Sequence, residues 1–162
     1  AAGAADAPPR GDAPGFAAAP PDELLLPDRR GNNRLDSLEN IIATGEVGLL
    51  FLIPGVDETL RVNGRAAIDD DPALAARFAI AGRAPRTVIR VAVREAYLHC
   101  AKAFMRSRLW LAQAQVPRAA LPTMGEMLRD QIGAKAGLDA GASQPPAETQ
   151  DEMLARYQAA LY

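Results

Sequence analysis

An uninterrupted apolar run in the middle of the chain, Val47 to Ile53 (VGLLFLI), is the feature that most constrains the fold. It has the length of a strand, far short of the roughly 20 residues that cross a bilayer, and continuous apolar character is typical of a strand buried on both faces. Pro54-Gly55-Val56-Asp57 predicts a turn after it. Thr59 to Ile68 alternates loosely between apolar and polar residues and predicts a second strand, with Asn63-Gly64 inside it as either a β-bulge or a tight hairpin turn.

Further strands are predicted on both sides of this pair. Glu23 to Leu26, just before Pro27, and Val88 to Val93 (VIRVAV) are short apolar runs of strand type. The proline-rich stretch ahead of them predicts loop or irregular edge strand, because proline cannot donate a hydrogen bond to a sheet. Gly15 to Ala17 is the predicted extended piece of that stretch.

Helices are predicted between and after these strands. The first has Asn32 or Asn33 as its N-cap and ends at Gly45. The second begins at Asp71-Pro72, with proline at the first helical position, and ends at Gly82. Near-helical spacing of apolar residues indicates a third over Glu95 to Arg106.

The end of the chain is predicted to be helical. Thr123 with Glu126, and Thr149 with Glu152, match the capping box that opens a helix, and an apolar helical pattern follows each pair. Residues 137–147 between them predict a mobile linker. Together the elements predict an α+β fold with a mainly antiparallel sheet, as a small barrel. The barrel domain is predicted over residues 1–116, with a C-terminal helical extension over 117–162 packed on the same domain.

Composition excludes several classes of function. With 18 Lys+Arg against 20 Asp+Glu the formal net charge is −2, which leaves no general basic field for a nucleic-acid backbone. Aromatic residues make up 5% of the chain, which weakens any site built on base stacking. The single cysteine cannot form an internal disulfide, and it fits a reducing compartment such as the cytoplasm.

Residues for nucleophilic or metal chemistry are scarce. His99 and Cys100 are the chain's only histidine and cysteine, and neighbours on a helix point about 100° apart, which does not suit a catalytic dyad. A small, buried apolar side chain is the favoured interpretation of Cys100, whereas His99 stays open between a structural hydrogen bond and a ligand contact. The Asp69-Asp70-Asp71 run lacks the spacing of a calcium loop and predicts a solvated helix start.

One segment does have the composition of an anion site. Asp28 to Arg34 (DRRGNNR) places arginines, a glycine and asparagines ahead of a helix, with Arg34 predicted in the first turn. Free backbone N–H groups, the positive end of the helix dipole and guanidinium groups suit a phosphate, and Arg10 is a second candidate contributor. A solvated, charged turn is the alternative interpretation of the same residues.

From about Asp6 to Tyr162 the chain resembles a known family in the order and spacing of its motifs. These are RGDAPGF, LPDRRGNNRLDSLENI, VGLLFLIPGVDETLRVNGRA, EAYLHCAKAFMRSRLW and LPTMGEML. They are similar to the pyridoxamine 5′-phosphate oxidase-related flavoproteins, and more narrowly to a bacterial FMN-dependent, oxidase-like subfamily. The resemblance implies a split β-barrel that forms a homodimer with two FMN molecules at the subunit interface. The family has a helix and a first barrel strand ahead of the residue corresponding to Ala1, so this sequence is expected to lack that strand.

The resemblance also implies which residues lie at the flavin. Five parts of the structure contribute residues to the flavin site: a loop, a strand end, a helix start, a strand of the partner subunit and a C-terminal segment. The implied residues are Arg10, Gly11 and Asp12 in the loop; Pro27 and Asp28 at the ring edge; Asn32, Asn33 and Arg34, with Ser37 as a competing contact, at the phosphate; Glu58, Thr59 and Arg61 in the partner's strand; and Lys102, Arg106 and Trp110 near the cofactor or substrate opening.

The implied activity is that of an FMN-dependent oxidoreductase acting on an unidentified small molecule. A flavin carries its own redox chemistry, which accounts for the missing triad and metal site. The oxidase's own substrate-binding arginine and histidine motif is not recognisable here, so pyridoxamine 5′-phosphate is not implied as substrate. Two alternatives stay open: a split barrel that uses a deazaflavin or haem, and a non-catalytic flavin-binding protein.

Overall fold

The computed structural model describes residues 5–31, 34–136 and 148–161. The chain divides into two compact units, Ala1–Trp110 and Leu111–Tyr162, while the predicted division after residue 116 stays a prediction. The first unit contains β1 (Glu23–Asp28), α1 (Asp36–Thr44), β2 (Glu46–Phe51), β3 (Thr59–Asp69), α2 (Pro72–Ala76), β4 (Thr87–His99) and α3 (Lys102–Ser107). The second contains α4 (Met124–Ala136) and α5 (Gln150–Ala160), after two 3-10 turns at Ala112–Ala114 and Arg118–Ala120.

β4 organises a sheet of order β1-β4-β3-β2, in which every neighbouring pair is antiparallel. The first half of β4 pairs with β1, and almost all of it pairs with β3. The register shifts at Asn63/Gly64, so this dipeptide marks a bulge and not a hairpin turn. Gly64 is required there because a Cβ atom would lie 2.3 Å from the carbonyl oxygen of Ala92. The predicted α+β class with an antiparallel sheet is confirmed.

The core lies between α1 and one face of the sheet. Its buried members come from one helix and three strands: Ile41, Leu26, Ala66, Ile89 and Val91. Their alternation along the strands follows from the period of two that sends successive side chains to opposite faces. α1 is therefore fixed to the sheet by its own apolar stripe.

α1 agrees with the prediction at one end and not at the other. Gly45 ends it in the left-handed conformation (φ 67°), as predicted. The helix begins at Asp36 with Leu35 as N-cap, so the predicted N-cap at Asn32 or Asn33 is wrong. Both asparagines lie outside the described residues.

β2 is an edge strand, so the prediction of a strand buried on both faces is wrong. Exposure alternates along it, and Leu50 is 58% exposed. Within the described chain β3 is its hydrogen-bonded neighbour in the sheet, which leaves one edge of β2 open. The turn that follows is confirmed, since Val56 donates its N–H to the Ile53 oxygen at 2.9 Å and Gly55 has a φ of 85°.

Both helices that flank β4 are shorter than predicted. Asp71 caps α2 by accepting the N–H of Ala73, as expected of a solvated helix start, but the helix ends at Ala76 and not at Gly82. Residues 95–99 belong to β4 and not to a helix, because β3 satisfies their backbone groups. Helix α3 is confined to Lys102–Ser107.

β1 extends beyond its predicted end, through Pro27 to Asp28, which an edge strand permits. The predicted extended piece at Gly15 to Ala17 is wrong: Gly15 has a φ of 87° and lies in a turn. Contact with the sheet comes one residue later, where Ala18 bridges to Leu25.

The second unit contains the two predicted C-terminal helices. α5 begins with a complete capping box between Thr149 and Glu152, and Thr123 and Glu126 exchange the same pair of hydrogen bonds ahead of α4. These hydrogen bonds hold the pKa values of Glu126 and Glu152 below their usual range. The predicted linker over 137–147 lies outside the described residues. None of the helices in the described ranges is both long and apolar enough to cross a membrane.

Candidate functional site

Two ion pairs join the N-terminal loop to the end of β1. Arg10 donates to Asp28 Oδ1 at 2.8 Å, and Arg29 donates to Asp12 Oδ2 at 2.9 Å. In the second pair only 13% of the Arg29 side chain and 6% of the Asp12 side chain are exposed. The structure thus brings together the predicted Arg10-Gly11-Asp12 and Pro27-Asp28 segments, which we call the β1 end of the sheet.

The start of α1 connects to the same N-terminal segment. Ser37 donates its hydroxyl to the carboxylate of Asp6. Arg34 precedes the helix, so its predicted place in the first turn is wrong. The first turn is instead acidic, with Asp36 and Glu39 near the positive end of the helix dipole. Arg34 donates to Asp36 at 2.8 Å, and this hydrogen bond and the charge of Asp36 raise the pKa of Arg34.

The residues predicted in the partner's strand lie at the opposite end of the sheet. Thr59, 6% exposed, begins β3 opposite His99 at the end of β4. Asp28 lies opposite Thr87, where β4 begins. The 13 residues of β4 span about 40 Å at roughly 3.3 Å per residue. One chain therefore does not bring Glu58, Thr59 and Arg61 to its own β1 end.

The third predicted group shares this second end. Lys102 and Arg106 are exposed on α3. Trp110 donates its indole N–H to the carbonyl oxygen of Val56 at 2.8 Å, and its ring stacks on Phe104 at 5.7 Å between centroids. We call the beginning of β3 together with this segment the α3 end of the sheet.

His99 and Cys100 also lie near the α3 end. The His99 ring lies 5.2 Å from that of Tyr97. Cys100 is exposed, so its interpretation as a buried apolar side chain is wrong. Within residues 5–31, 34–136 and 148–161 no group of three or more His, Cys, Asp and Glu side chains is placed to hold a metal ion.

The β1 end and the start of α1 together offer cationic, hydroxyl and carboxylate groups. Guanidinium and hydroxyl groups of Arg10, Arg34 and Ser37 suit a phosphate, and the Asp28 carboxylate suits a ring N–H. Arg10 and Arg34 already pair with carboxylates, so a phosphate must compete for them. Arg30 is exposed and makes no ion pair with another residue that the structure describes.

Residues 2–100 match the family model described as pyridoxamine 5′-phosphate oxidase. The chain belongs to the pyridoxamine 5′-phosphate oxidase family. The matched residues contain the whole four-stranded sheet and both of its ends up to His99. The family match ends before Lys102, Arg106 and Trp110, so it does not support their predicted roles at the site.

Solved structures similar to this family member include two of HupZ from Group A Streptococcus, one of them a single-residue variant. Both are 15% identical to this chain. The variant gives a TM-score of 0.42 over 52% of this chain and 73% of its own, and the other gives 0.40 over 50% and 66%. No curated protein matches the chain.

Three residues at the two ends of the sheet make contacts that sequence reasoning missed: Arg29, Val56 and Phe104. The sequence could have indicated the Arg29 contact, because Asp12 carries the opposite charge in a segment that the resemblance assigns to the same site. For Val56 no such indication existed, since its carbonyl oxygen and not its side chain makes the contact. Phe104 and Trp110 both lie within the EAYLHCAKAFMRSRLW motif, but the sequence does not show that their rings stack.

Proposed function

We propose that the protein binds FMN and uses it as an oxidoreductase acting on a small molecule. The observation that carries this proposal is the pairing of Arg10 with Asp28 and of Arg29 with Asp12, which holds the N-terminal loop against the end of β1. The Ser37–Asp6 hydrogen bond ties the same segment to α1. Membership of a family named for an oxidase supports the binding of a flavin cofactor. A cytoplasmic location is also part of the proposal.

Each element at the β1 end has a role in this proposal. Arg10, Arg34 and Ser37 bind the phosphate, with Asn32 and Asn33 as further contacts. Asp28 accepts a hydrogen bond from the pyrimidine edge of the ring. Bound flavin supplies the redox chemistry, so the chain has only to anchor the phosphate, orient the ring and leave one ring face open to substrate.

We infer that the protein is a homodimer, because the two groups of site residues lie too far apart in one chain. β4 runs for 13 residues from Thr87, opposite Asp28, to His99, opposite Thr59, an extended length of about 40 Å. A second copy can supply Glu58, Thr59 and Arg61 to the β1 end of the first, and the first can do the same in return. Two equivalent flavin sites result, as an isologous dimer requires.

The surface of the α3 end supports a second copy as its partner. Phe51, Leu60 and Leu98 form one cross-strand row, in which Leu98 is 71% exposed. Leu50 and Tyr97 lie in the neighbouring row on the other face, 58% and 41% exposed. Exposed apolar side chains concentrated in one region mark an association surface more often than isolated ones do.

Equilibrium titration with FMN, followed by flavin fluorescence and visible absorption, tests the function. We expect micromolar or tighter binding, and binding at least about tenfold weaker in Arg10→Gln because a charge-assisted hydrogen bond is lost. Arg65→Gln is the matched control: it also loses a surface ion pair, with Glu46, but lies away from the β1 end. No binding of FMN by the unaltered protein would overturn the proposal.

Parallel titrations distinguish the alternatives. A deazaflavin or haem that binds while FMN does not would assign the β1 end to that group. FMN that binds without turnover by any electron donor and acceptor pair would assign the protein a non-catalytic flavin-binding role.

A further inference from the structure

Trp110 fastens the loop between β2 and β3 to the segment that follows β4. Its indole N–H donates to the Val56 carbonyl oxygen at 2.8 Å, and its ring stacks on Phe104 with 11° between the planes. The N–H of Val56 is also held, by the Ile53 carbonyl oxygen at 2.9 Å. Both backbone groups of Val56 are therefore fixed, two residues ahead of Glu58.

Between α3 and Trp110 the backbone adopts an uncommon conformation. α3 is followed by Arg108 in the left-handed region (φ 51°) as its C-cap, where glycine is the usual residue. A side-chain-bearing residue keeps such a conformation where surrounding contacts fix it. The backbone N–H of Arg108 donates to the Phe104 oxygen, and Trp110, two residues later, contacts Phe104 and Val56.

From these contacts we propose that Trp110 is a positioning residue for the flavin site of the partner subunit. Through Val56 it fixes the beginning of β3, which carries Glu58, Thr59 and Arg61. The inference rests on the proposed function, and it gives Trp110 an indirect role instead of contact with the cofactor or substrate. Because the chain's own β1 end lies at the other end of the 13-residue strand β4, the flavin affected is the one that the other copy holds.

Two substitutions separate the two contacts of Trp110. Trp110→Phe removes the N–H donor and keeps an aromatic ring against Phe104, whereas Phe104→Leu removes the stack and keeps the donor. We expect FMN binding about tenfold weaker in the Trp110→Phe homodimer, the scale of one lost hydrogen bond to a positioned group. A role in stability alone would lower the melting temperature and leave the FMN affinity of the folded dimer unchanged, which would overturn the proposal.

Mixed dimers test whether Trp110 acts on the partner's flavin. A Trp110→Phe chain and an Arg10→Gln chain carry different tags, and the mixed dimer is isolated by both. In that dimer one site combines the intact β1 end of the first chain with the intact loop of the second, and the other site combines both defects. We therefore expect one FMN per dimer with the affinity of the unaltered protein, although each parent homodimer binds weakly at both sites.

The outcomes separate this inference from the proposed function. If the unaltered dimer binds FMN but no full-affinity site returns in the mixed dimer, Trp110 acts within its own chain and the inference is overturned alone. If the unaltered protein binds no FMN, both proposals fail together. Should Trp110→Phe not fold, Phe104→Leu, which removes the other contact of Trp110, replaces it in the mixed-dimer measurement with the same expected return of one site.

Discussion

Arg29 donates to Asp12 across 17 residues of sequence, and the two side chains are only 13% and 6% exposed. The neighbouring pair of Arg10 and Asp28 is more open, at 27% and 22%. The two ion pairs at the β1 end therefore differ in how accessible they are to a ligand. The Arg29–Asp12 pair holds the loop, and in the proposed function the more exposed Arg10 exchanges its carboxylate partner for a phosphate.

Breaking the inner pair should therefore reduce stability more than breaking an outer one. We expect Asp12→Asn to cost about 2 to 4 kcal/mol in the free energy of unfolding, because it removes the carboxylate charge from a largely buried ion pair. Arg65→Gln, which breaks an exposed pair with Glu46, should cost less than about 1 kcal/mol. Urea unfolding followed by circular dichroism measures both. Equal losses would contradict a structural role for the inner pair.

Gly64 should not tolerate even a methyl group. In Gly64→Ala the new Cβ would lie 2.3 Å from the Ala92 carbonyl oxygen, so the backbone of β3 or β4 must move. We expect a loss of about 2 kcal/mol or more, as for other substitutions that overpack a core. Gly48→Ala on the edge strand is the control, since its Cβ meets only the end of the Asn63 side chain, at 3.2 Å. Thermal unfolding distinguishes the two, and an equally mild effect at Gly64 would contradict the close approach at the bulge.

A charge at the α3 end should separate the proposed dimer. Leu98→Asp places a carboxylate in the exposed apolar row of β4 and should give a monomer with at least about tenfold weaker FMN binding, because a buried, unpaired charge is costly. Ile42→Asp is the control, as Ile42 is 77% exposed on α1. Light scattering at micromolar concentration measures the mass of each. A monomeric unaltered protein, or a dimeric Leu98→Asp variant that keeps FMN, would count against a shared site.

Sequence reasoning succeeded where the determining contacts are local. The capping box of Thr149 with Glu152 and the stop at Gly45 depend on residues within one helical turn, so the sequence suffices to place them. Residues 95–99 have helical spacing but join β4, because pairing with a strand more than thirty residues earlier satisfies their backbone. β2 is an edge strand because β3 has β4 as its other neighbour, and Cys100, which follows β4, is exposed. At the candidate site, the positions of Asp28 and Thr59 at opposite ends of β4 follow from the strand register, which the sequence alone does not give.

The left-handed cap after α3 gives a prediction about the Trp110 contact. Arg108→Gly should be neutral or slightly stabilising, because glycine adopts a φ of 51° without steric cost, while Arg108→Val should destabilise by about 1 to 2 kcal/mol. Trp110 is the only tryptophan in the chain, so its fluorescence reports the same contact directly. We expect a red-shifted emission in Arg108→Val and an unchanged one in Arg108→Gly. Identical spectra and stabilities for the two variants would show that the cap does not hold Trp110.

The second capping box makes the stability of α5 depend on pH. The Thr149 backbone and hydroxyl groups donate to Glu152 and lower its pKa from the usual 4.5. A carboxyl whose pKa falls on folding adds stability above its unfolded pKa and loses that contribution as the pH falls through the folded value. Glu152→Gln should therefore lower helix stability at pH 7, and its difference from the unaltered protein should shrink below about pH 4.5. Asp151→Asn, in the same helical turn but outside the capping box, should lose less at pH 7, and thermal unfolding at 222 nm compares all three. A difference between Glu152→Gln and the unaltered protein that stays constant down to pH 3 would show that the ionised carboxylate contributes nothing to this cap.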